Sequence, residues 1–361
     1  MKQRILALNG RAGEAEINKL EMSVAADTAY MLDFNDADDI DFTGIRALIR
    51  LSQKGLKFQL INVSDMVGGI LDTAGVSRFF TYVHKPAFID LTGYEVTGES
   101  FLAKTYNLSD SLMVKMYNDD VPTMVPLKEK MTARAALMFG LNTPISGRLM
   151  TDGKRFGLSF ERIQGKRSFA RAISQEPDRL EHYARRFAQM AKELHSRQCD
   201  TTMFGERSET YRNAVLEFHG ISDSQREKML AFIDSVPKTT TCIHGDLHIG
   251  NVITNGKDEL WIDLGDFSYG NPMWDMAMLY FQSHNPNEEM VMDLYHISCA
   301  QFRQVWDYYV EEYFGAVTAQ AKSDLDSRFL PFVAIQMVYL LSIVEKDMSF
   351  LFETINKAFP A

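Results

Sequence analysis

"TCIHGDLHIGNVITNGKDELWIDLGD", from Thr241 to Asp266, sets acids, amides and two histidines between short runs of Ile, Val, Leu and Trp. Carboxylates and amides beside strand-like apolar runs either decorate turns or gather around something charged. The order matters: Asn251 follows Asp246 by five positions, and Asp263 closes the apolar run "LWIDLG" twelve positions after Asn251. Magnesium prefers hard oxygen ligands and takes few of them from protein, so one amide oxygen and one carboxylate are enough. The other acid, Asp246, is then free to accept a proton.

The frame H-x-D-x-x-x-x-N, followed by an acid at a strand end, is the order in which protein kinases place their base and two metal ligands. Transfer of a phosphoryl group asks mainly for positioned phosphates and neutralised charge, which explains these residue types. "HGDLHIGN", "IDLGD" and the later "MWDMA" together resemble the aminoglycoside phosphotransferase and choline kinase family. The resemblance implies a two-lobed α+β protein-kinase-like fold with a cleft between the lobes, and ATP and magnesium as cofactors. It implies Asp246 as base and Asn251 and Asp263 as metal ligands. His244 then braces the loop, and Asp275 caps a helix and supports that loop. His248 reads as a satisfied structural histidine. Asp266 reads either as a helper in the metal shell or as a turn acid.

A kinase-like site also needs an upstream lysine for the phosphates. "LMVKMY" offers Lys115 on a strand, and "PLKEKMTARAAL" offers Glu129 on the following helix as its partner. "SFERIQG" reads as the segment joining the lobes, with the backbone of Glu161 and Ile163 facing adenine. The phosphate loop departs from the family: "GYEVTGESFLAKTY" has no G-x-G-x-x-G, leaving Thr97, Gly98 and Ser100 at its tip.

The front of the chain has another pattern. "RILALNG", "TAYMLDFND" and "KFQLINV" read as strands. "GEAEINKLEMSVA" (with Ile17, Leu20 and Val24 at helical spacing), "TGIRALIRLSQKG" and "SDMVGGILDTAGVSRFF" read as helices. Alternation of strand and helix predicts a mostly parallel sheet. This stretch resembles a STAS domain, the fold of anti-sigma factor antagonists, with "DFTG" in place of D-S-S-G. The resemblance implies a protein partner and makes Thr43, at a helix N-terminus, a phosphorylation candidate; a capping role alone is the other reading. The expected division is a STAS-like domain over 1–87 and a kinase-like domain over 88–361, with an N-lobe over 88–163 and a helical C-lobe over 164–361.

Composition sets outer limits. The 361 residues carry a net charge of −10, which argues against a general nucleic-acid binder. Cys199, Cys242 and Cys299 have no C-x-x-C spacing, so neither a disulfide framework nor a zinc site is expected. "FLPFVAIQMVYLLSIVEK" is shorter than a bilayer span and holds Pro331 and Gln336, so a core helix is expected rather than a membrane helix. A cytoplasmic enzyme without a membrane partner follows as the expectation.

Two functions fit these readings. One is an ATP- and magnesium-dependent phosphotransferase for a hydroxyl of a small molecule, with the STAS-like domain as regulator or adaptor. The mix of Glu288, Glu289, Asp293, Glu311 and Glu312 with Trp306, Tyr308 and Tyr309 would suit a cationic amino-alcohol or aminosugar. Equally, those acids would face solvent and those rings would pack the core. The other function is a signalling switch, in which the kinase-like domain phosphorylates Thr43 or a protein, or only senses nucleotide.

Overall fold

The computed structural model describes residues 3–21, 29–76, 79–100, 102–201, 204–315, 318–343 and 350–360. Val24, expected on the first helix, lies outside them. The chain forms two compact units. The first gathers residues 1–107, 114–123 and 147–159, and the second gathers 108–113, 124–146 and 160–361. These units divide the chain at other points than residue 87, because the sheet expected in the N-lobe groups with the front of the chain.

In the first unit, β1 (Gln3–Ala12), α1 (Glu14–Glu21), β2 (Ala29–Ile40), α2 (Phe42–Gln53), β3 (Phe58–Val63), α3 (Asp65–Thr73) and β4 (Thr81–His84) alternate. All three strand pairings are parallel and the strand order is that of the chain. Such a sheet is wound in one direction, which places its crossover helices on one face. Leu8, Leu32, Leu48, Leu60 and Leu71 meet in its core. Gly44 is needed there: a Cβ would lie 1.9 Å from the Ala12 carbonyl oxygen. Gly55, at φ +82°, ends α2 as the sequence predicts.

A six-stranded sheet follows. It is built from β5 (Ala87–Phe88), β6 (Val96–Glu99), β7 (Ala103–Asn107), β8 (Leu112–Tyr117), β9 (Ser146–Thr151) and β10 (Phe156–Glu161), in the order β5-β9-β10-β8-β7-β6. The Asp152-Gly153 turn joins β9 to β10, with Gly153 at φ +94°. Arg148 on β9 reaches Asp65 at the start of α3 at 3.1 Å, within the same unit.

The second unit is mainly helical. The helix α4 (Met124–Met138) belongs to it. Then come β11 (Arg167–Ser168), α5 (Phe169–Gln175), α6 (Leu180–His195), α7 (Arg207–Glu217) and α8 (Asp223–Ser235). Short strands β12 (Cys242–Ile243), β13 (Val252–Thr254), β14 (Glu259–Trp261) and β15 (Ser268–Tyr269) carry the loops between them. The chain finishes with α9 (Met273–Ser283), α10 (Glu288–Tyr295), α11 (Cys299–Phe314), α12 (Ala319–Ile343) and α13 (Leu351–Ala358). Among the described residues, α12 is the one helix long and apolar enough to cross a membrane. Its Phe329, Val333 and Ile335 pack in the main core. Its Gln336 is fully buried and donates to Tyr211 Oη (3.1 Å) and the Trp274 carbonyl (2.6 Å). It is a core helix.

Candidate active site

The antiparallel pair β13–β14 brings the two ends of the opening stretch together, with Val252 opposite Trp261. Asn251 enters this hairpin and Asp263 leaves it. Ile262, between them in space, is held twice. Its N–H donates to the Asn251 carbonyl (3.0 Å), and its carbonyl accepts from His244 Nε2 (3.0 Å). Asp263 then takes a left-handed backbone, φ 59° and ψ 53°. That region is unfavourable for a residue with a Cβ, though Asp tolerates it better than most. Strain of this kind persists only where the surroundings fix it.

Asp246 and Asn251 touch directly. The Asn251 amide nitrogen donates to the Asp246 carbonyl (2.9 Å) and to its Oδ2 (3.2 Å). The nitrogen is thereby engaged, and the amide oxygen is the atom left for a cation. Asp246 is 38% exposed. Burial pushes its carboxyl up, but the rings of His248 and His244 and the Asn251 amide outweigh this and hold it well below the usual carboxylate range. It is ionised at neutral pH.

His248 lies 3.5 Å from Asp246 Oδ2 through Nε2, while its Nδ1 accepts the Gly250 N–H (3.0 Å). This arrangement leaves the ring proton on Nε2, facing the acid. His244 is fully buried, accepts the Asp246 N–H on Nδ1 (3.3 Å) and donates through Nε2. Burial keeps its pKa below the ordinary histidine value. Its two ring nitrogens thus tie the Asp246 N–H to the Ile262 carbonyl.

Asp275 differs in part from expectation. Its carboxylate accepts the N–H groups of His244 (2.6 Å) and Gly245 (2.7 Å) and faces His195 Nε2 (3.1 Å). It thus supports the loop. It does not cap α9; Asn271 Oδ1 takes the Met273 N–H at that end (3.0 Å). Asp266 is held by Lys128 and Arg207, both at 3.0 Å. Burial raises its pKa, the two cations lower it by more, and the net shift is down. These contacts fit an ion-paired turn acid.

Arg207 and His195 brace these loops, and the sequence reading did not name them. Arg207, 3% exposed, donates to Asp266 Oδ1 and to the Gly245 carbonyl (3.1 Å) and lies over the Tyr211 ring. It joins the loop of Asp246 to the loop of Asp263. His195 ends α6 and bridges Asp275 to Tyr313 Oη (2.8 Å). Neither lies in a local motif; only long-range packing brings them in.

The remaining candidates are distributed between the units. Lys115 lies on β8 with its ammonium 5.2 Å from the Tyr117 ring centre, in the first unit. Glu129 is buried on α4, in the second. Thr97 Oγ1 donates to the Thr105 carbonyl (3.3 Å) and Ser100 Oγ to the Ala103 carbonyl (3.2 Å), so both hydroxyls brace the β6–β7 hairpin. Gly98 sits against Thr105, whose Oγ1 a Cβ would meet at 2.6 Å. The Glu161 N–H donates to the Ile145 carbonyl (2.9 Å), and Ile163 precedes the turn at Gln164 and Gly165 (φ +66°). Thr43 does not cap α2. Asp41 does, accepting the Gly44 N–H (2.9 Å), and Thr43 donates its hydroxyl proton to the same Oδ1 (2.5 Å).

Residues 142–308, a little under half of the chain, match the phosphotransferase enzyme family (APH). They form a phosphotransferase domain. The match begins well after residue 87, and no finding supports the STAS resemblance of the front residues. Among solved structures, the phosphotransferase is similar to a thermostable mutant of aminoglycoside phosphotransferase APH(4)-Ia in a ternary complex with ADP and hygromycin B. The identity is 11% over 74% of this chain and 90% of that one, with a TM-score of 0.50. It is also similar to a choline/ethanolamine kinase family protein from Mesorhizobium loti (12%, 73% and 86%, TM-score 0.45). A third is APH(3'')-Id from Streptomyces rimosus (14%, 75% and 99%, TM-score 0.44). At such identities the first of these shows the fold, which is protein-kinase-like. No curated protein matches the chain.

Proposed function

We propose that this phosphotransferase moves the terminal phosphoryl group of ATP to a hydroxyl of a small molecule, with magnesium held by Asn251 Oδ1 and Asp263. The observation that carries the reading is the Asp246–Asn251 pair, which leaves one ionised acid free of metal duty and one amide oxygen unspent. Asp246 accepts the acceptor's hydroxyl proton as that oxygen bonds to phosphorus and the bond to the ADP oxygen breaks. A bound magnesium supplies charge neutralisation for the phosphates. Lys115 is proposed as a phosphate anchor with Glu129 as its partner. The backbone at Thr97, Gly98 and Ser100 would cover the phosphates, and that of Glu161 and Ile163 would face adenine. Amino-alcohols and aminosugars are the acceptors that the family resemblance implies.

Substitution Asp246→Asn tests the base. ADP release with a stimulating acceptor should fall by about 10²–10⁴-fold. An unchanged rate would refute the assignment.

The front residues are proposed as a regulatory or adaptor module, on their alternating parallel α/β architecture alone. The switch reading through Thr43 is weaker, because a phosphate there would face the Asp41 carboxylate that now accepts the Thr43 proton. That carboxyl is held below its usual range first by the Thr43 hydroxyl.

A further inference from the structure

We propose that the acceptor is a small, uncharged and largely apolar alcohol, not a polycationic aminosugar; the inference rests on the reading of Asp246 as the base. A cavity of about 180 Å³ opens beside Asp246 within the second unit. Its walls are mostly carbon and sulfur: Met278 and Phe281 from α9, Val291, Leu294 and Tyr295 from α10, and Leu340 from α12. Its size is close to that of a cavity that holds a single aromatic ring, about 150 Å³.

The polar atoms on these walls are few and mostly committed. Asn285 uses its amide oxygen on the Asn287 N–H (2.9 Å), and its nitrogen lies 3.3 Å from Met290 Sδ. Gln282 lines the cavity with a buried Oε1 that has no hydrogen-bond partner among the described residues. Among the described residues Asp246 is the one carboxylate on the lining, and it already faces Asn251 and His248.

The acids expected to welcome a cation are elsewhere. Glu311 pairs with Arg185 (3.1 Å) and Lys322 (3.3 Å). Glu312 faces Arg185 (3.7 Å). Glu288 accepts the Cys299 N–H (3.0 Å). None of the five acids expected on the acceptor wall lines the cavity. Of the rings, Trp306 and Tyr309 pack in the core. An ammonium entering this space would lose its hydration and meet one carboxylate already facing Asn251 and His248 and one amide oxygen, that of Gln282, too few acceptors to replace a water shell, so burial works against it. An apolar body gains from the same walls.

The test uses the full chain and two alcohols of one skeleton, 3-phenylpropan-1-ol and 2-amino-3-phenylpropan-1-ol, with hygromycin B as a polycation. Calorimetric titration should show the neutral alcohol binding at least tenfold more tightly than its aminated partner. Leu294→Glu, at a rim position 52% exposed where folding is not at stake, should remove that preference. Met290→Glu serves as the second variant. Equal or tighter binding of either cationic ligand, or no saturable binding of the neutral alcohol, overturns the proposal. Magnesium-dependent ATP binding is measured beside it. If that binding ignores Asp263→Asn, the phosphotransfer reading fails and takes the acceptor role with it. A lost alcohol preference with nucleotide binding intact counts against the pocket alone.

Discussion

At the scale of single residues, the glycine of "HGD" shows why the motif takes this form. Gly245 has φ +89°, and a Cβ would lie 2.2 Å from the Asp266 carbonyl oxygen. The protein-kinase frame has arginine there; this backbone leaves no room for one. Gly245→Ala should therefore push the loop of Asp246 away from the loop of Asp263, and ADP release should drop at least 100-fold with Asp246 untouched. His248 offers a finer test. Its ring helps keep the Asp246 carboxyl below the usual range. With Asp246 as the proposed base the ionised acid is the active form, so the acid limb of kcat/KM is expected at low pH in the wild type. In His248→Ala that limb should move toward neutral pH; a profile that does not move would remove His248 from the site's electrostatics.

At the scale of elements, α9 and α8 make a useful contrast. Asp275, in the first turn of α9, is fully buried and takes two backbone N–H groups of the loop. Hydrogen bonds to a charged acceptor contribute about 1.5–3 kcal/mol each. Asp275→Ala should lower unfolding stability by about 3 kcal/mol in urea and abolish activity together. Ser222 closes a capping box with Gln225 at the start of α8, where none of the site residues lies. Ser222→Ala should cost about 1 kcal/mol and leave kcat unchanged. Element positions were largely legible in sequence, because apolar spacing, Gly55 and Asp152-Gly153 are local signals. The cap of α2 could not be read from the sequence, where capping by Thr43 was one of two open readings; the backbone geometry makes Asp41 the cap.

At the scale of the whole molecule, the charge cluster of Lys128, Asp266 and Arg207 links α4, a loop and α7. The Asp266 pKa is depressed in the folded state, so its stabilisation is complete above the ordinary carboxylate value, about 3.9. It is lost as pH falls through the lower folded value. Asp266→Asn should therefore unfold more easily than wild type at pH 7, and the difference should shrink in strong acid. The motif residues Asp246, Asn251 and Asp263 stand out in the sequence because the proposed chemistry would constrain their spacing. Arg207 and His195 do not, because no local pattern records which buried cation will meet which carbonyl. The compact units were not read from the sequence, because a long-range contact such as Arg148–Asp65 leaves no local pattern.

One rod of the second unit carries two tasks. The first turn of α9 holds the loop of Asp246, and its later turns supply Met278, Phe281 and Gln282 to the cavity wall. On the proposed reading, selectivity and chemistry are geared to a common axle. Adding a single amino acid between Asp275 and Met278 would spin everything downstream by about 100° and swap the wall's lining while leaving the loop clasped. New tastes in alcohol could arise by indels in that one helix, with no retooling of the reaction centre.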